Sequence, residues 1–139
     1  MQVRLAHDVL KIVVRRYLQR DARLVSAVTR LAALAKRAEA ALAASDLSAV
    51  GSVMMEAWGL HQELDPNCSN AGVDALFARV QHLSCGHKLV GAGGGGFAIL
   101  IGKNAPATLE MRALLESVGP PVKVYNWSLF EPEFQGVNS

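Results

Sequence analysis

Apolar residues recur every three or four positions through the first 83 residues, after which the spacing shortens to two. Leu5, Val9, Ile12, Val13 and Tyr17 share one helical face, and Leu10, Val14 and Leu18 carry the apolar surface around the cylinder. This pattern predicts an N-terminal helix buried on more than one side. Asp21 reads as the N-cap of a second helix with a stripe of Leu24, Val28, Leu31, Ala35, Ala38 and Leu42. The many alanines of that helix favour helix formation and permit close approach of a neighbour. Asp46 predicts the start of a third helix carrying Leu47, Val50, Met54 and Trp58 and ending by Pro66. Met54, Met55 and Trp58 read as core. Ser69 or Asn70 opens a fourth helix, with Val73, Leu76, Phe77 and Val80 inward.

From His87 onward, Lys88-Leu89-Val90 and Phe97 to Ile101 read as two strands around a run of glycines. Pro106 suits the first turn of a further helix, where its missing N–H does little harm. Met111, Leu114, Leu115 and Val118 give that helix its apolar face, and Gly119-Pro120-Pro121 ends it. Val122 to Trp127 alternates as a strand, so 97–127 predicts a strand–helix–strand crossover with a right-handed bias. The expected fold class is α+β. Residues 1–130 are expected to form one domain, helical over 1–83 and sheet-containing over 84–130, with 131–139 as a flexible tail.

Composition narrows the function classes. The chain has 139 residues, half of them apolar, which is enough for a real core. A net charge of +2 with scattered Lys and Arg gives no basic patch, so nucleic acid is not an expected partner. No apolar run approaches the roughly 20 residues that span a bilayer, and His7, Asp8 and Lys11 interrupt any signal-peptide pattern. Two cysteines, Cys68 and Cys85, make no disulfide framework, and a cytoplasmic setting is expected. His82, Cys85 and His87 cluster in sequence but lack a fourth ligand at zinc spacing, so no metal site is expected.

The glycines are the most informative feature. Five of the six positions from Gly91 to Gly96 are glycine, each costing about 0.5–1 kcal/mol relative to alanine inside regular structure. Such a loop must let bare backbone approach another segment or a ligand, or adopt positive φ, and its amides can form an anion site. The string matches G-x-G-x-x-G, but β-favouring residues follow it and no acidic residue stands where a dinucleotide fold needs one. A Walker A lysine is absent, as are the H-R-D and D-F-G motifs of protein kinases. What survives is a glycine-rich hairpin, either packed against a helix or built to meet an anion.

A second polar stretch runs from Leu60 to Asn70. Glu63 and Asp65 fall at a helix C-terminus, where the macrodipole disfavours negative charge by roughly 0.3–1 kcal/mol each. His61 lies four residues before Asp65, and a protonated imidazole there would offset part of that penalty. The stretch is either a solvated helix end with an ordinary cap, or a rim that hydrogen-bonds a hydroxyl-rich ligand.

Three segments together resemble one known arrangement: L-H-Q-E-L-D-P-N-C-S-N at 60–70, K-L-V-G-A-G-G-G-G-F at 88–97 and V-K-V-Y-N-W-S at 122–128. They are similar to the C-terminal domain of the GHMP sugar kinases, and within that superfamily to the fucokinase part of plant-type bifunctional fucokinase/GDP-fucose pyrophosphorylases. The resemblance covers nearly the whole chain; Gln2 to Ala6 is similar to the segment that leaves the family's N-terminal domain. It implies a ferredoxin-like C-terminal domain and ATP-dependent phosphorylation of L-fucose at its anomeric hydroxyl, in GDP-fucose salvage. It also implies that Gly91, Gly93, Gly94, Gly95 and Gly96 support the nucleotide phosphate loop, and that His61, Glu63, Asp65 and Asn70 are sugar-side candidates. ATP and Mg²⁺ are the cofactors it implies for the complete enzyme.

The family's Ser-rich phosphate loop and its N-terminal catalytic segment are absent from these 139 residues. Phosphoryl transfer depends on positioning and charge neutralisation. The isolated chain is therefore expected to be inactive, to hold no catalytic residue of its own, and to need an N-terminal kinase domain as partner. Helices that would dock that domain are expected to leave an apolar face and promote self-association. The alternatives are a non-catalytic interaction module, or a kinase domain for galactose, arabinose or a heptose.

Overall fold

The computed structural model describes residues 6–91 and 93–127. The expected tail at 131–139 and the segment Gln2–Leu5 lie outside the described residues. Seven elements follow one another: α1 (Ala6–Leu18), α2 (Ala22–Ala43), α3 (Leu47–Leu64), α4 (Ala71–Val80), β1 (Ser84–Leu89), β2 (Ala98–Gly102) and α5 (Ala105–Glu116). The fold is α+β, five helices on a two-stranded antiparallel sheet.

Helix starts are set by side-chain caps. Asp21 accepts from the amides of Arg23 and Leu24, Asp46 from Ala49, Asn70 from Gly72 and Val73, and Asn104 from Ala107. Each satisfies amides that have no partner inside the helix, worth about 1 kcal/mol apiece. Asp21 is additionally held below the usual carboxylate range, first by the Arg16 guanidinium and then by the Leu24 amide. Arg16 also donates to the Leu64 carbonyl at 2.9 Å, tying α1 to the end of α3.

α3 is the central element, with α2 on one side and β1 on the other. Its Val53 and Leu60 join Ala27 and Leu34 of α2 in one core cluster. Its Trp58 joins Cys68, Phe77 and Leu89 in a second, against α4 and the sheet. Burying a side chain such as Leu60 contributes about 1.5–3 kcal/mol, against about 0–1 kcal/mol for exposed ion pairs such as Arg37–Glu56. Apolar packing therefore holds α2 to α3. A third cluster, Val80, Leu83, Met111 and Leu115, seats α5.

Several expectations change. The α2 stripe is rotated: Ala27, Leu34 and Ala41 are buried, whereas Val28, Ala35 and Leu42 are exposed. The smaller Ala27 and Ala41 face the core, so α3 can come close. α1 is not buried on several sides; Leu10 is 59% and Leu18 75% exposed, because α1 leans mainly on α2. β1 begins at Ser84, ahead of the expected Lys88, and pairs Gly86 with Ile101, His87 with Leu100 and Lys88 with Ile99.

Residues 122–127 form no strand, so the expected strand–helix–strand unit is absent among the described residues. The alternation there is real, since Val122 and Val124 are half-buried and Val124 packs on the α5 cluster. Side-chain packing alone accounts for it; no ladder partner is recruited. With two strands among the described residues, the sheet is smaller than a ferredoxin-like sheet.

Candidate functional site: the glycine loop and the turn that holds it

β1 and β2 are joined by the glycine loop, closed at its base by the Val90 amide donating to the Phe97 carbonyl at 2.8 Å. Gly91, Gly93, Gly94, Gly95 and Gly96 all have positive φ, between 74° and 148°. That backbone region excludes most side chains sterically. The glycines thus specify a conformation that alternative residues would resist.

The inner side of the loop is pressed against the turn between α3 and α4. A Cβ on Gly93 would lie 2.7 Å from the Cα of Cys68. The Gly94 amide donates to the Cys68 carbonyl at 2.5 Å, and Asn70 Nδ2 donates to the Gly94 carbonyl at 2.8 Å. Gly94 is therefore held through both of its backbone groups by residues 68–70. The outer rim differs: nothing stands within 4 Å of where a Cβ would project from Gly91 or Gly96. The loop is thus closely packed on one side, against a turn and not against a helix, and has open backbone on the other.

The turn is braced from within. Asp65, buried at the C-cap of α3, accepts from the Asn67 amide at 3.1 Å, while its carbonyl accepts from Cys68 N–H. Cys68 is fully buried beside Trp58, Phe77 and Leu89. Ser69 Oγ donates to Asp74 in the first turn of α4.

The four polar candidates thus have distinct placements. Asn70 touches the glycine loop directly, and Asp65 organises the turn beneath it. Glu63 is exposed and faces Arg30 of α2 at 3.9 Å. His61 sits edge-on to Trp58, with ring centroids 5.6 Å apart. Burial pushes the His61 imidazole below its ordinary pKa, Lys88 pushes it the same way, and Asp65 opposes them. The protonated imidazole that would offset the helix-end charge is thus disfavoured, because burial and a strand lysine outweigh one carboxylate.

Sequence reasoning missed three participants. His87 is buried, with its ring 4.2 Å from that of Phe77, and burial lowers its pKa. Lys88 brings its charge to bear on His61. The Cys68 backbone is the loop's docking surface, and no side-chain pattern marks a backbone contact. Among the described residues, no group of three or more His, Cys, Asp or Glu side chains is placed to hold a metal ion. No helix among them is long and apolar enough to cross a membrane.

Comparison with known proteins converges on one family. The model of the GHMP kinases C-terminal domain matches residues 38–119, which include α3, the turn, the glycine loop and α5. The chain is 55% identical over 129 residues to the bifunctional fucokinase/GDP-fucose pyrophosphorylase of Arabidopsis thaliana, covering 92% of this chain and 12% of that protein. It is 29% identical over 70 residues to the L-fucokinase/L-fucose-1-P guanylyltransferase of Bacteroides fragilis, covering 50% of this chain and 7% of that protein. The crystal structure of L. major mevalonate kinase in complex with R-mevalonate shares the fold, with a TM-score of 0.74 at 19% identity, over 88% of this chain and 37% of that one. With the glycine loop and its turn inside the matched region, the chain belongs to the GHMP kinase family, as a C-terminal domain closely related to the fucokinase portion of the bifunctional enzymes.

Proposed function

We propose that this chain is the C-terminal half of an ATP-dependent L-fucose 1-kinase, whose product feeds GDP-fucose formation in the cytoplasm. The observation that carries the reading is the glycine loop, held from beneath by residues 68–70 and open at Gly91 and Gly96. The similarity to two enzymes named for fucokinase activity supports the sugar. The open rim fits a phosphate-bearing neighbour, since backbone amides there can face an anion without side-chain obstruction. ATP would be held chiefly by an N-terminal kinase domain, with Gly91 and Gly93 to Gly96 supporting its phosphate loop. Mg²⁺ supplies charge neutralisation on the phosphates when bound.

Among the sugar-side candidates, Glu63 already faces Arg30 and Asn70 already serves the loop. His61 is the side chain best suited to a hydroxyl-rich ligand. Burial lowers its pKa and so favours the neutral imidazole, which can both accept and donate a hydrogen bond. The exposed apolar face of α1, with Leu10, Val14 and Leu18, is the surface proposed to meet the N-terminal domain.

The same apolar face favours a second reading, a non-catalytic interaction module. One assay separates the two: ATP-dependent phosphorylation of L-fucose by this chain, compared with a longer polypeptide carrying it behind a phosphate-loop domain. Turnover only by the longer polypeptide is expected. Turnover of galactose, arabinose or a heptose in preference to fucose would reassign the sugar, and no turnover of any sugar would favour the module.

A further inference from the structure

We propose that Asn70 is a positioning residue for the glycine loop, acting on the phosphate side of the site and not on the sugar; the nucleotide half of this inference rests on the kinase reading above. Asn70 uses both ends of one amide. Its Oδ1 accepts from the Gly72 and Val73 amides at 3.0 and 3.1 Å, capping α4. Its Nδ2 donates to the Gly94 carbonyl at 2.8 Å, across 24 residues of sequence. The amide plane is fixed by the cap, so the donor is fixed as well, and the loop inherits the orientation of α4. Gly94 is held at the same time by the Cys68 carbonyl, whose residue is fully buried.

Two attachments at one glycine leave the neighbouring positive-φ residues a defined geometry with little intrinsic stiffness of their own. Capping alone would be served by Asp, Ser or Asn nearly equally. Only Asn among these carries a donor that can reach the loop while its oxygen stays on the helix. A carboxylate in the same place would set an oxygen against the Gly94 carbonyl.

Asn70→Asp separates the two roles, since it keeps the cap and removes the donor. In this 139-residue chain the Gly94 amide keeps its bond to the Cys68 carbonyl, but with the Asn70 bond to the Gly94 carbonyl gone the loop opens more readily, and hydrogen exchange at that amide is expected to quicken roughly five- to tenfold. Helix content is expected to stay nearly unchanged, because the cap is kept, and the melting temperature to fall by only a few degrees, as for loss of one hydrogen bond. In the longer polypeptide with the kinase domain, the same substitution is expected to raise the KM for ATP severalfold and leave the KM for L-fucose as it was. Asn70→Gln, which keeps the amide but shifts it by one methylene, serves as a second variant and is expected to loosen Gly94 in the same way.

Unchanged Gly94 exchange in Asn70→Asp would overturn the clamp, whatever the protein catalyses. A raised KM for L-fucose with an unaltered KM for ATP would overturn the phosphate-side assignment and make Asn70 a sugar contact. Absence of any ATP-dependent turnover by the unsubstituted longer polypeptide would overturn the kinase reading and the nucleotide half with it. The exchange measurement would still decide the clamp.

Discussion

Gly51 of α3 and Gly86 of β1 meet backbone to backbone: a Cβ on Gly86 would lie 2.5 Å from the Gly51 Cα, and one on Gly51 would lie 2.6 Å from the Cys85 carbonyl oxygen. This contact sets how closely the central helix approaches the sheet, and therefore where β1 delivers the glycine loop. Gly51→Ala and Gly86→Ala are each expected to cost about 1–3 kcal/mol through overpacking. Urea denaturation of the two variants checks this. Wild-type midpoints would show that the helix can withdraw from the strand at no cost.

At Gly93 two penalties coincide. An alanine there would have to adopt φ near 79° and place its Cβ against Cys68. The expected loss is about 2–4 kcal/mol, the sum of a left-handed backbone and a steric clash. Gly91→Ala faces positive φ but open space, so a smaller loss of about 1–2 kcal/mol is expected. The ordering of the two variants in a thermal melt is the test; equal losses would mean that the Cys68 contact does not constrain the loop.

The two shifted histidines predict acid sensitivity. His61 and His87 both have folded pKa values below the ordinary 6.5, chiefly because burial disfavours the cation. The unfolded chain therefore binds more protons as pH falls below about 6.5, and stability drops through that window. Above it, the contribution is fully present. Unfolding measured at about pH 7.5 and pH 5.5 should show a smaller acid loss for His61→Gln/His87→Gln than for the wild type. Equal losses would remove both imidazoles from the account.

The α1 face makes a prediction about assembly. Leu10, Val14 and Leu18 are exposed on one side of a helix that leans on its neighbours lightly. Sedimentation of the 139-residue chain is expected to show concentration-dependent association that Leu10→Gln/Val14→Gln/Leu18→Gln abolishes. Association that persists in the triple variant would place the contact elsewhere.

Much of this architecture is legible in the sequence, because its signals are local. Asp21, Asp46 and Asn70 cap helices where their residue type and position say they should. The glycine run reads as a hairpin loop because nothing else tolerates so many. The α2 face is ambiguous for a physical reason. Leu24, Leu31 and Ala38 border two adjoining stripes, and only the arrival of α3 chooses Ala27, Leu34 and Ala41 over Val28, Ala35 and Leu42. The alternation of Val122 to Trp127 is also genuine, but a strand needs a partner, and partners are tertiary. The clamp of Gly94 by Cys68 and Asn70 joins segments 24 or more residues apart, one of them through backbone alone. No local pattern encodes such a contact.

If the glycine loop shapes the phosphate side of a fucose kinase, a change at its tightest contact must reach the chemistry. The decisive quantity is the rate of L-fucose 1-phosphate formation from ATP by the longer polypeptide, with and without Gly93→Ala, at a temperature where both are folded. The expected result is turnover by the unsubstituted protein and a loss of at least roughly a hundredfold in the variant, the scale at which misplaced positioning groups act. Full activity in a folded Gly93→Ala protein would contradict the account.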